Sequence, residues 1–554
     1  MKSKKYSSYM KTIKSIFVVL SLVLFAGFLK SNIALAQTNK KGTIPKLTKE
    51  QAAETKKVAG EMFKVPNWNG AREQYRLLVN YDPDDAEFLY RFGVCIINSN
   101  YDKTEAIQYL TKAADKKDAP KDVYYQLGRA CLGAGLYDEA IDAFDKFKEL
   151  SKGQINLKLN FELYQEYCYN AKDYSKKPLD VKFTNPGKSV NSPGADYACV
   201  GMAVDTVVFF TSGRKGNMGG MTDDFGDVLP DVYFSSRLDT AWTKAKNAGI
   251  SINSEFYDIS TGMNTNGDKL FVYKEDGIIN GDVYVSEQQG KTWIKAALIT
   301  PEMETKTLET GGCMSNDGKR VFFAATGLKG GIGGKDIYMI EKDESGKWSA
   351  PINLGANVNT KHDEDSPMIW HDGKTLFFAS KGHTSMGGYD IFMTSRASSA
   401  SAWDKPFNIG YPLNNALDNQ YFTLAANGRT GYVSDVKPGG LGDLDIWYYQ
   451  LKEPLVKNAG TLFRATVLNS MGLPAKDAVC SVVKESTGEI LAIMEPAGPA
   501  SEIFVLLGPG TYKLKARSPK MGRLEEEIII VGDEGEKGIR KELKLQPNPA
   551  DKVK

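Results

Sequence analysis

The sequence predicts a multidomain protein: α-helical repeats, then an all-β region of repeated four-strand units, then a small β-sandwich. Three observations carry this reading. Helical periodicity with a repeat of about 36 residues fills 49–172. An aspartate followed by an apolar strand recurs at spacings of 51, 54, 54 and 55 between 231 and 445. From 459 to 546 apolar and polar positions alternate between turn signals. Helices and strands differ in side-chain period, and a fixed repeat length marks stacked units.

The chain has 554 residues, 42% of them apolar and 25% charged, enough for ~3–4 ordinary cores. Residues 1–36 read as an export signal: lysines precede the apolar run IFVVLSLVLFAGFL, and ALAQ offers a small-x-small cleavage site ending at Ala36. The run is short for a membrane span, and no cysteine follows the site to accept a lipid. Removing the six lysines of the signal takes the formal charge from +2 to −4, which argues against nucleic acid as a partner. Six cysteines without a CxxC pair, and three histidines, suggest neither a zinc site nor a disulfide scaffold, and no cofactor is expected.

A short linker (37–48) leads into the helical repeats (49–175). YRFGVCIINSNYDKTEAIQYLTKAAD aligns with YQLGRACLGAGLYDEAIDAFDKFKEL, matching Gly93 with Gly128 and Tyr101 with Tyr137. NWNGAREQYRLLVNYDPDD and FELYQEYCYNAKDY are partial copies. Cys95, Cys131 and Cys168 recur at the same period and read as small buried positions rather than a metal ladder. The pattern resembles the tetratricopeptide repeat. That resemblance implies a concave groove for an extended peptide or helix, with Tyr90, Tyr124 and Tyr125 as candidate partner-binding residues and packing between repeats as their other role.

Between 181 and 453 lie DVYFS, DVYVS, DIYMI, DIFMT and DIWYY, headed by Asp231, Asp282, Asp336, Asp390 and Asp445. Asn266-Gly267, Asp317-Gly318, Asp372-Gly373 and Asn427-Gly428 precede the second strand of four units and suggest type I′ hairpins. LKGGIGGKDIYMI is not a phosphate loop, because a strand and no helix follows its glycines. It joins the second strand to the third, as its counterparts do. Trp242, Trp293, Trp348 and Trp403 are expected in the fourth strands. The fifth unit lacks this tail, and VKFTNPGKSVNSPGADY resembles the post-tryptophan segments, so it is expected to supply the missing outer strand and close a ring. A four-strand unit of roughly 50 residues is the form of a propeller blade; five blades are expected, six being the alternative. The five units resemble the WD40-like PD40 repeat. The first departs from it through MTDDFGDVLP, a candidate contact surface.

The strand–turn–strand pattern of 459–546, with LGPGTYKLKA, resembles the carboxypeptidase regulatory-like domain, a prealbumin-type sandwich; a tail (547–554) follows. No hydrolase elbow GxSxG is present. HDED (362–365), His371 and His383 read as solvated turn positions, and SEQQGKTW resembles the sialidase Asp-box, a fold-stabilising turn. The five repeated aspartates read as acceptors for backbone N–H groups at the loop exits.

The module order resembles envelope proteins of Bacteroidetes, several of them in the type IX secretion and gliding machinery. The resemblance implies a non-enzymatic periplasmic scaffold whose partners are envelope or outer-membrane proteins, rather than an enzyme with a small-molecule substrate. A propeller-based glycan- or peptide-binding protein or hydrolase is the alternative. In that group an OmpA-like peptidoglycan-binding domain commonly follows the sandwich; none is visible here, so association with the outer membrane is expected to pass through partners. Cleavage of the signal should leave Gln37 as the mature N-terminus. Intact mass of the exported protein checks this, and a product retaining residues 16–29 would contradict it.

Overall fold

The computed structural model describes residues 46–99, 102–151, 159–201, 207–223, 227–238, 241–264, 267–275, 281–289, 292–303, 305, 307–398, 400–456, 460–496, 501–519, 522–530 and 538–547. The export signal, most of the linker, Tyr101, Asn266, the centre of MTDDFGDVLP and most of the tail lie outside the described residues. Two compact units emerge, Met1–Ser99 with Glu105–Gln126 and Asn100–Thr104 with Leu127–Lys554.

Among the described residues seven helices precede the sheets: α1 (Lys49–Lys64), α2 (Trp68–Tyr81), α3 (Ala86–Ile97), α4 (Thr104–Ala114), α5 (Val123–Gly133), α6 (Tyr137–Ser151) and α7 (Phe161–Ser175). In the first unit, side chains meet the orphan N–H groups at helix starts. Thr48 and Gln51 form a capping box at α1, and Asn67 and Asp85 accept from Gly70 and Phe88 at 2.8 and 2.9 Å. Leu89, Phe92 and Ile96 on α3 and Ala106, Leu110 and Ala113 on α4 are buried at helical spacing. A Cβ at Gly93 would lie 2.6 Å from Leu110 Cγ, so a larger residue would push the helices apart. In the second unit Gly128 does the same for the Phe144 ring, at 2.8 Å. Phe144 and Phe147 in turn pack on Phe161 of α7, with ring centroids 6.2 and 5.9 Å away. Every cysteine is free and buried.

Five antiparallel sheets follow. The first is built from Asp196–Gly201, Val207–Ser212 and Asp231–Leu238, the second from Asp258–Met263, Lys269–Glu275 and Gly281–Gln289. Glu309–Met314, Arg320–Thr326 and Lys335–Glu341 form the third, and Glu364–Ile369, Thr375–Ser380 and Asp390–Ser395 the fourth. In the fifth, Asp445–Leu451 lies between Thr430–Asp435 and the early strand Val181–Thr184, with Val181 opposite Leu451 and Thr184 opposite Tyr448. Thr423 and Ala425 add to its inner side through hydrogen bonds to Tyr432 and Thr430.

Neighbouring sheets share cores. Phe209 and Val232 of the first meet Leu270 and Val272 of the second. Phe271 and Val283 meet Phe323 and Tyr338 of the third, whose Phe322 and Ile337 meet Phe378 and Phe392 of the fourth. Phe377 and Ile391 continue to Trp447 and Tyr449 of the fifth. Tyr432 and Ile446 of the fifth pack with Val208 and Phe210 of the first.

Two expectations about the strands are corrected. The glycine of each turn pair has positive φ, 67° at Gly318, 66° at Gly373 and 67° at Gly428, but Asp317, Asp372 and Asn427 do not. These are therefore not type I′ turns, which need positive φ at both positions. Gly318 N–H instead closes on Ser315 O at 2.9 Å, while Asp317 Oδ1 accepts from Lys319 N–H, an Asx link that favours the ordinary backbone conformation. Nor do all the tryptophans lie in outer strands. Trp348 makes only an isolated bridge and Trp403 packs on Phe322, and the outer strands are Ile352–Asn353 and Phe407–Asn408 beyond them.

A recurring asparagine ties the outer segments of the first, third, fourth and fifth sheets to the third strand. Asn253, Asn359 and Asn414 each donate to and accept from a single residue there: Val232, Ile337 and Ile391. Asn191 does the same to Ile446, at 2.9 and 3.0 Å, from the early segment. The final sandwich sets Glu502–Leu507, Thr461–Leu468 and Ile539–Lys544 against a four-stranded sheet over a core containing Phe463, Val467, Val482, Leu514 and Ile528.

Asn191→Ala and Asn359→Ala should each destabilise the protein by about 1–3 kcal/mol, because each leaves a buried backbone N–H and C=O unmet. Urea unfolding measures this. If only the Asn359 variant weakens, the 181–192 segment does not contribute to the fifth sheet as described.

Candidate functional site

The loops that leave the second strands lie beside the starts of the inner strands, as Arg214 does beside Asp196 and Lys381 beside Asp363. The repeated aspartates sit there as acceptors. Asp336 takes N–H donors from Ile332 at 2.5 Å and Gly333 at 3.1 Å; Asp231 takes Met218 N–H at 2.6 Å and Asp445 takes Leu441 N–H at 2.5 Å. Asp390 accepts from Met386 N–H. Asp282 follows 276–280, which lie outside the described residues. Asn247, Asn353 and Asn185 donate a further bond to Asp231, Asp336 and Asp445. Burial pushes the Asp231 carboxyl up to about 6.

A second set of repeated polar residues went unnoticed in the sequence. Asp196, Asp258, Glu309, Glu364 and Asn419 begin the inner segments, each four residues after a Ser, Thr or Asn. That spacing is the signal that could have found them. Asp196 accepts from Ser192 N–H and Oγ, Ser212 Oγ and the Arg214 guanidinium, the last at 2.7 Å. Asp258 accepts from Ser254 and Lys274, and Glu364 from Thr360 and Ser380. Glu309 differs. Ala325 stands opposite it and Thr305 Oγ1 turns to Thr307 at 2.9 Å, so among the described residues neither Glu309 carboxylate oxygen meets a donor at full hydrogen-bond geometry, and the nearby Thr305 hydroxyl only partly offsets its burial. Burial pushes its carboxyl up to about 7.

Two residues further on, four inner segments carry a positive φ: Ala198 at 53°, Gly311 at 55°, Ser366 at 49° and Tyr421 at 57°. Pairing slips there, between Tyr197 and Val200, Thr310 and Gly312, and Asp365 and Met368. Such bulges redirect side chains, and a non-glycine residue held at positive φ costs roughly 1–2 kcal/mol. A channel walled by inner segments of all five sheets has a volume of about 100 Å³. It widens into a cavity of about 430 Å³ lined by Tyr257, Tyr273, Tyr421, Glu275, Gln420 and Lys335, among others.

The sequence-derived candidates are scattered rather than gathered. In the first unit, Tyr90 and Tyr124 are half-buried in one packing cluster, and the Tyr90 hydroxyl lies 2.7 Å from Asp122. Tyr125 is buried, in a packing position rather than on an open groove. The histidines do not converge, and two are not solvated turn residues. His383 packs on Phe378 and Phe392 with Nε2 3.0 Å from Val358 O, and His371 stands in the channel wall, where desolvation lowers it to about 4. No group of ligating side chains among the described residues is suited to a metal ion. No helix of the described residues is long and apolar enough to cross a membrane.

No family model matches the chain, and no curated protein does. The solved structures it is similar to are distant. A thermostable family-43 glycoside hydrolase is 12% identical, with TM-score 0.33 over 48% of this chain and 95% of that one. The putative TolB of Agrobacterium tumefaciens is 13% identical, with TM-score 0.31 over 50% and 88%. TolB from Acinetobacter baumannii, also 13% identical, has TM-score 0.30 over 50% and 64%. At these scores the likenesses carry no functional weight.

Glu309 makes stability depend on pH. Its carboxyl is ionised in the unfolded chain above roughly 4.3 but stays protonated in the folded protein to about 7. The folded state therefore holds the extra proton between those values, and stability falls as pH rises through them. Glu309→Gln should remove this loss, standing about 1–3 kcal/mol above the parent at pH 8 relative to pH 5. Urea midpoints at the two pH values check it.

Proposed function

We propose that the protein is a non-enzymatic scaffold of the bacterial periplasm. In this reading the five sheets form a closed five-bladed propeller of PD40 type, the helices are tetratricopeptide repeats, and the last domain is a regulatory-like sandwich. The supporting observation is how the repeated carboxylates are used. Asp196, Asp258 and Glu364, and Asp231, Asp336 and Asp445 at the loop exits, are each held by hydroxyl, amide or basic donors of their own sheet or the segment joined to it. Acids engaged in this way organise loops, whereas general acid–base work needs a carboxyl within reach of a substrate proton.

Partners would be envelope proteins, met first by the helical repeats. Tyr90 and Tyr124 retain part of their surface there and present an apolar ring with a polar tip, a combination enriched at interfaces. A photo-crosslinking residue at position 124, used in intact cells and followed by mass spectrometry, should capture a reproducible set of envelope proteins. Capture of none, together with turnover of a glycosidic or peptide substrate by the purified protein, would overturn the scaffold reading.

A further inference from the structure

We propose that the cavity at the mouth of the five sheets binds a saccharide. The observations are its size, its rings and the pairing of its polar groups. About 430 Å³ falls within the range of small-ligand sites. Tyr257, Tyr273 and Tyr421 reach it as half-buried rings, so each keeps part of its surface for a ligand. Tyr273 lies across Gly281 of the neighbouring strand, where a Cβ would come within 2.2 Å of its ring. That glycine sets the ring's position. Tyr421 is held at φ 57°, and Ser366, also on the wall, lies in a bulge at 49°. Backbone strain concentrated at one opening is a mark of a working surface.

The polar groups suit hydroxyls. Lys335 Nζ lies 2.6 Å from Asp365 Oδ2, and Thr310 Oγ1 donates to Asp365 Oδ1 at 3.0 Å. A donor and an acceptor thus stand side by side, which matches a sugar hydroxyl that accepts and donates at once. The Glu275 carboxylate and the Gln420 amide line the same cavity. Flat rings next to planar polar groups fit a sugar, whose apolar C–H face lies on the ring while its hydroxyls meet the amide and carboxylates. The salt-bridged Lys335, with Glu275 and Asp365 on the same lining, leaves little net positive charge for an anion.

The proposal is independent of the scaffold assignment and is tested on the full mature chain. A broad array of bacterial glycans, with a peptide array beside it, is probed with the labelled protein, and calorimetry with free oligosaccharides follows. Binding to at least one glycan is expected. Gln420→Ala and Glu275→Gln should each weaken it about tenfold, ~1.4 kcal/mol, with unchanged melting temperature because neither side chain holds the fold together. Tyr421→Ala should abolish it. If that variant does not fold, the two polar variants still decide the matter. Ile529→Ser, on the exposed face of the sandwich, should leave binding as it was. The proposal is overturned if no glycan binds, if only peptides bind, or if glycan binding survives both polar substitutions unchanged.

Discussion

A buried peptide group must find a hydrogen bond, and the sheet region depends on how that demand is met beyond the third strands. The outer segments pair over only two residues in the third and fourth sheets. One side-chain amide completes the job, with Asn359 answering both the N–H and the C=O of Ile337, and Asn253, Asn414 and Asn191 repeating the arrangement. An unmet buried N–H or C=O costs more than an ordinary hydrogen bond returns. Four equivalent amides therefore decide where the outer segments of the first, third, fourth and fifth sheets end.

Much of this architecture was legible in the sequence because it is periodic. The spacing of Asp231 to Asp445 located the third strands, and the likeness of 181–192 to the post-tryptophan segments located a strand that pairs with Asp445–Leu451, far along the chain. Turn geometry was misread. Asp-Gly and Asn-Gly are compatible with several turns, and the choice depends on loop length and on where the Asp or Asn oxygen finds a donor. The buried acids of the inner strands were missed because aspartate and glutamate in short polar loops look solvated. Only the Ser, Thr or Asn four residues earlier betrays them. The cavity was invisible for a different reason: Tyr257 and Tyr273 come from the second unit and Tyr421 from the fifth, and the three occupy no equivalent position in the repeat.

The repeat is also instructive where it breaks. The outer segment after the second sheet, ALITPEM, has neither asparagine of the motif, and Glu309, which follows it, lacks the donors its counterparts enjoy. Selection on a repeated unit acts on each copy separately, so a missing amide and an unsatisfied carboxyl can coexist at one junction while the other copies keep theirs. This junction adjoins the cavity: Tyr273 and Glu275 precede it, and Leu308 and Thr310 flank Glu309.

Within the second unit, α7 is tied to the fourth sheet: Tyr167 donates to Lys381 O at 2.6 Å and Asn170 to Ser385 O at 2.8 Å. The strand Val181–Thr184 leaves that helix almost at once, yet its partner is near residue 450. This arrangement has a kinetic meaning. The fifth sheet joins Asn185 to Asp445, 260 residues apart. Such long-range pairing is slow, because the chain must close a long loop before the contact repays it. A chain emerging N-terminus first presents this strand early and its partner late. During that interval an unpaired edge stands open to other chains, so the time before the fifth sheet closes, rather than the finished fold, is when mispairing is easiest.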